Sequence, residues 1–222
     1  LTWNDISSIN IIPGHIAATS ATSGVNNNTF FLYGGFSPDQ MATVYTFDTR
    51  NNKWNVAHVN YNIHKDSLKG IVNNGKMYLF SGLVKGVQTN DMLIFDTINY
   101  KFSFGNLDNA PSPRRHYGAA LLDVNSLPIS VDKDFLSVYK RNSKLTVIIN
   151  IRSTSMTQLM IIGPLESGFS TVLGYTGTET DPNSGLYVLN LTSYEWSIPN
   201  VSGNNPLVRS WHQANVIGNI WW

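Results

Sequence analysis

The side chains of this 222-residue chain that could do chemistry are sparse. There is no cysteine, which excludes disulfide frameworks, thiolate metal sites and cysteine nucleophiles together. The five histidines (His15, His58, His64, His116 and His212) show no i, i+2 or i, i+4 pairing of the kind that ligates a metal. Serine and threonine are plentiful, but no G-x-S-x-G turn, no Ser–His–Asp grouping and no glycine-rich phosphate loop is present. No catalytic residue and no cofactor can therefore be assigned, and the residues favour a non-enzyme. Two clusters are of another kind. Arg114-Arg115-His116 and Arg209-Ser210-Trp211-His212 each set arginine beside aromatic or imidazole rings. Arginine and tryptophan are enriched at binding hot spots, so Arg114, Arg115, His116, Arg209 and Trp211 are candidate partner contacts. The competing reading is that they pack against or cap sheet edges.

Composition narrows the partner class. Charged residues make up 13% of the chain, the net charge is +1, and no basic or acidic run occurs, so nucleic acid is not expected. The longest apolar runs, Leu145–Ile149 and Leu159–Ile162, fall far short of the ~20 residues of a membrane span. Three N-x-[S/T] sequons lie at Asn27, Asn190 and Asn200, where the abundance of Asn, Ser and Thr would by chance give about five. They mark glycosylation candidates without enrichment. Low charge with many Asn, Ser and Thr leans toward an extracellular or cell-surface setting, and a glycan ligand stays open.

The elements that must position these residues repeat. Tyr33-Gly34-Gly35 is followed thirteen residues later by Asp48 in Val44-Tyr45-Thr46-Phe47-Asp48, and six further on by Trp54. Phe80-Ser81-Gly82, Leu93-Ile94-Phe95-Asp96 and Phe102 restate the layout, as do Tyr175-Thr176-Gly177, Tyr187-Val188-Leu189-Asn190 and Trp196. The spacing from last glycine to Asp or Asn is thirteen, fourteen and thirteen, and the following aromatic is always six away. Each copy opens near a histidine (His15, His64, His116), and a fourth opening occurs at Pro206–His212. Runs such as Thr29–Tyr33, Lys76–Phe80 and Gly185–Leu189 are aromatic-rich strands bounded by turn residues, and no helical period is evident. A ~50-residue unit of four short antiparallel strands is one propeller blade.

In these residues the chain resembles the kelch-repeat β-propeller family. The double glycine Gly34-Gly35, the Tyr45-to-Asp48 segment and Trp54 carry the likeness, which weakens at Ser81, Leu93 and Phe102, and again at Thr176 and Asn190. The resemblance implies an all-β propeller, here about three recognisable four-stranded blades plus partial blades at both ends, read as one incomplete domain over residues 1–222 of a longer protein. It also implies structural roles for Gly34, Gly35, Tyr45, Asp48, Trp54, Gly82, Asp96, Phe102, Gly177, Tyr187, Asn190 and Trp196. The second glycine of each pair should hold the demanding backbone conformation, since serine or threonine can stand at the first. Asp48 and Asp96 should accept hydrogen bonds from their own turns.

The third copy is longer than the others by about one blade. A loop or hairpin inserted between its first and second strands, within 125–168, is the preferred account; a decayed blade, or a segment missing from the mature transcript, are the alternatives. Relatives of the copper-radical oxidase type need a cysteine cross-linked to tyrosine, which this chain lacks. The functional expectation is a non-enzymatic scaffold that binds another protein. The alternative is the propeller of a copper-radical or carbohydrate-active protein with its catalytic residues elsewhere, or a glycan-binding module.

Overall fold

The computed structural model describes residues 4–123, 136–141, 144–149, 157–162, 186–198, 201–203, 216–217 and 220–221, and side chains within 4–121 and 187–198. Among these residues all regular structure is strand, apart from one 3-10 turn at Ser7–Ile9. No helix among them is long and apolar enough to cross a membrane. The chain divides into two compact units, Leu1–Phe104 and Gly105–Trp222.

The first unit holds two four-stranded antiparallel blades. Strands β1 (Thr19–Ser23), β2 (Thr29–Tyr33), β3 (Val44–Asp48) and β4 (Lys53–Val56) pair in chain order. The second sheet pairs β5 (Gly70–Asn73), β6 (Lys76–Phe80), β9 (Met92–Asp96) and β10 (Lys101–Phe104), and a small hairpin, β7 (Leu83–Val84) with β8 (Val87–Gln88), sits between its second and third strands. The alternation of β2 decides which residues face which blade. Phe31 and Tyr33 point at the second sheet, where Phe31 meets Phe95 edge-on at 5.9 Å and Tyr33 meets Phe102 at 5.8 Å. All four rings are buried, each contributing about 2–3 kcal/mol. Near the inner edges Gly70 N donates to Thr19 Oγ1 at 2.8 Å, and Ser23 Oγ meets Thr97 Oγ1 at 2.9 Å.

The second unit contains a third such sheet: β11 (Gly118–Asp123), β14 (Thr157–Ile162), β15 (Leu186–Asn190) and β16 (Trp196–Ser197). Sequence spacing placed a strand ending at Tyr175 beside β15. The pairing corrects this, because β14 is bonded to both β11 and β15. The residue that follows the second strand is therefore Gly163, and Tyr175 to Gly177 lie outside the described residues. The spacing misled because the chain runs 23 residues between β14 and β15 where the first blade has ten between β2 and β3. Between β11 and β14 in sequence comes the hairpin of β12 (Leu136–Arg141) and β13 (Lys144–Ile149). It joins neither of them and pairs in a separate five-stranded sheet, flanked by β17 (Val201–Gly203), which is parallel to β12, and by β19 (Ile220–Trp221) and β18 (Val216–Ile217).

Candidate interaction face and the blade openings

Each blade is held to its own turns by one side chain at the end of the third strand. Asp48 Oδ1 accepts Arg50 N at 2.9 Å. Asp96 Oδ1 accepts Ile98 N at 2.8 Å and Asn99 N at 2.9 Å. In the third blade Asn190 Oδ1 does the same for Thr192 N at 2.8 Å and Ser193 N at 3.2 Å. An amide oxygen satisfies these N–H groups as a carboxylate does, which is why Asn can replace Asp here. Burial opposes the Asp96 charge, but the bonds from Asn99 and Ile98 outweigh it and leave its carboxyl below the ordinary value. Hydrogen bonds from Arg50, with its charge, do the same for Asp48.

The aromatic six residues on sits on the outermost strand. Trp54 packs on Phe47 at 4.9 Å and Phe30 at 6.3 Å, Phe102 on Phe95 at 4.7 Å, and Trp196 is buried with Nε1 donating to Asn106 O at 3.2 Å. Tyr45 and Tyr187 are buried on their third strands.

At the glycine pair both positions are left-handed: φ is +63° at Gly34, +106° at Gly35, +54° at Ser81 and +91° at Gly82. The first position is thus as left-handed in Ser81 as in Gly34, and Ser81 Oγ donates to Thr89 O at 2.6 Å. What makes Gly34 a glycine is space, since a Cβ there would lie 1.9 Å from Lys65 O. Gly35 N donates to that same carbonyl at 2.8 Å, and a His64 ring N–H donates to Gly35 O at 2.6 Å. The glycine pair of one blade is the seat for the opening of the next.

The openings themselves align by backbone, and this revises the histidine pattern. Ala17 (φ +58°), Ser67 (+60°) and His116 (+55°) are the left-handed residues just before each first strand. Two residues earlier stand His15, Lys65 and Arg114. Between them, Ile16 exchanges bonds with Phe36 and Asp66 with Leu83. His15, His64 and His116 are therefore not equivalent. The equivalent trio contains two buried cations. Lys65, 1% exposed, donates to Ser81 O at 2.9 Å, to Thr89 Oγ1 at 3.0 Å and to the Asp91 carboxylate. Burial pulls its ammonium below the usual lysine range, with Asp91 pushing back. Arg114 is fully buried in the second unit, with its guanidinium 4.9 Å over the Tyr187 ring and Nε donating to Ser112 O at 3.0 Å.

Arg114, offered by the sequence as a partner contact, is buried here, because the blade opening turns this position inward. Arg115 and His116 are half-buried at the same opening. Arg209 and Trp211 lie outside the described residues, as does Asn200. Asn27 is exposed in the β1–β2 turn, while Asn190 is half-buried in its capping role. No group of three potential metal ligands occurs among the described residues.

What the sequence missed is the apolar end of the first unit. Both the loop after β2 and the β7–β8 hairpin leave from the end where β1 and β5 begin. There Ile16 is 68%, Phe36 59% and Val87 68% exposed.

The KLHDC2/KLHL20/DRC7 Kelch-repeats domain model matches residues 1–172, more than half of the sequence, and takes in the first two blades with β11 and β14. The chain belongs to the kelch-repeat family. Its fold is accordingly an all-β kelch propeller of four-stranded blades. In the first two blades the left-handed pair (Gly34-Gly35, Ser81-Gly82), the turn-capping Asp and the outer aromatic make the backbone, turn and ring contacts given above. No curated protein matches the sequence significantly.

Proposed function

We propose that this kelch domain is a non-enzymatic scaffold that binds another protein through the loop-bearing end of its first unit. The observation that carries the reading is the pair Ile16 and Phe36. They are bonded to each other through the backbone and so fixed in place, yet both side chains stay largely exposed, with Val87 on the neighbouring hairpin. Apolar side chains that a rigid scaffold presents together mark an interaction surface. Kelch domains commonly serve protein interaction, which agrees with this reading. The surface lies on loops that the glycine pairs and buried Lys65 hold rigid, so a partner would meet a preformed face.

The test compares partners captured from native extracts by the unaltered chain and by Phe36→Asp, with melting curves to show that folding is unchanged. Reproducible protein partners that Phe36→Asp loses support the reading. Partners retained by Phe36→Asp, or saturable binding of a glycan with no protein partner, would sink it.

A further inference from the structure

The outermost strands of the two blades in the first unit are finished differently. In the second blade the edge is closed by one side chain. Asn60 Nδ2 donates to Phe102 O at 3.0 Å, and Phe102 N donates to Asn60 Oδ1 at 2.6 Å, so a single amide stands in for a fifth strand. One residue on, the Tyr61 ring lies 5.9 Å from that of Phe104.

In the first blade the same edge is open. Ala57 N donates inward to Val44 O, and the alternation of an antiparallel ladder then turns the N–H and C=O of Trp54 outward, as those of Phe102 are. No described residue bonds them. Val56, the counterpart of Phe104, is 46% exposed. The counterpart of Asn60 is Asn10, since each stands five residues before its blade-opening residue, His15 or Lys65. Asn10 instead closes on its own chain: Ile12 N donates to Asn10 Oδ1 at 3.1 Å, and Asn10 Nδ2 donates to Ile12 O at 3.0 Å. Ile11, in the place of Tyr61, is 49% exposed.

We infer that Asn10 and Ile11 form a strap for the outer edge of β4, with Asn10 bonding Trp54 and Ile11 lying beside Val56 as Tyr61 lies beside Phe104. Closure exchanges two amide hydrogen bonds for two others and adds a contact between Ile11 and Val56 of the kind the Tyr61 and Phe104 rings make while staying 48% and 60% exposed. It also hides an unpaired strand edge that another polypeptide could extend. The strap is independent of the partner-binding reading above.

The absence of cysteine makes a clean cross-linking test. The double variant Ile11→Cys with Val56→Cys should form an intramolecular disulfide about as readily as Tyr61→Cys with Phe104→Cys. Hydrogen exchange on the cysteine-free chain gives a second readout. The Trp54 amide should be protected within about tenfold of the Phe102 amide, and Asn10→Ala should remove that protection at Trp54 alone. A Trp54 amide that exchanges freely in the unaltered chain overturns the strap. So does protection that Asn10→Ala leaves intact and dilution removes, which would put a second copy on the edge.

Discussion

Lys65 and Asp91 form an ion pair whose two ends live in different surroundings. The ammonium is buried, whereas the Asp91 side chain keeps 26% of its exposure. Lys65 also reaches Ser81 O and Thr89 Oγ1, so its three protons each have an acceptor drawn from the loop between the second and third strands of the blade. One side chain therefore ties the opening of a blade to the loop that carries the β7–β8 hairpin.

Lys65→Met should destabilise the first unit by ~3 kcal/mol, because it strands a carboxylate and a carbonyl that have lost their donor. Pairing it with Asp91→Leu should cost less than the two single changes together. Urea unfolding of the four proteins measures this, and strict additivity would mean the pair is not coupled.

Gly34→Ala should be the most damaging of the small changes, costing more than ~3 kcal/mol, since strain at φ +63° adds to a collision with Lys65 O. Ser81→Gly should shift stability by less than ~1 kcal/mol, as backbone relief offsets the lost bond to Thr89. Thermal melts of the two variants side by side would show the contrast.

Asp96→Asn should leave stability at neutral pH within about 1 kcal/mol, because Asn190 already fills that role in the third blade. The acid response should change. The folded pKa of Asp96 lies below its unfolded value of 3.8, so on acidification the unfolded chain takes up the proton first. The stabilisation is complete above 3.8 and is lost as pH falls through the folded value, whereas the amide has no such window. Between pH 6 and pH 2 the melting temperature of the unaltered chain should therefore fall further than that of the variant.

Arg114→Lys should weaken the second unit by about 2 kcal/mol. An ammonium can replace neither the planar contact with Tyr187 nor the geometry of the bond to Ser112 O. If Arg114 were a partner contact instead, the same change would reduce binding and leave the melting curve alone.

Read without a structure, the chain already revealed its repeat. The glycine pair, the capping Asp and the outer aromatic are local requirements of turns and strand ends, and local geometry restricts residue type at fixed spacing. The substitution of Asn190 for Asp at the end of β15 was legible for the same reason. Three things were not. The second strand of the third blade could not be found from glycine spacing, because pairing of β14 with β11 and β15 is a long-range choice that loop length does not constrain. The fate of the cations was hidden as well: Lys65 and Arg114 are hydrophilic by type, and only the packing of one blade opening against its surroundings took both out of water. The exposure of Ile16 and Phe36 was equally invisible, since an apolar residue in sequence reads as core. Residue type and spacing determine what a strand or turn can be. Which face of it meets a neighbour, and which is left to solvent, depends on contacts between residues far apart in the chain, and those exist only once the blades have packed.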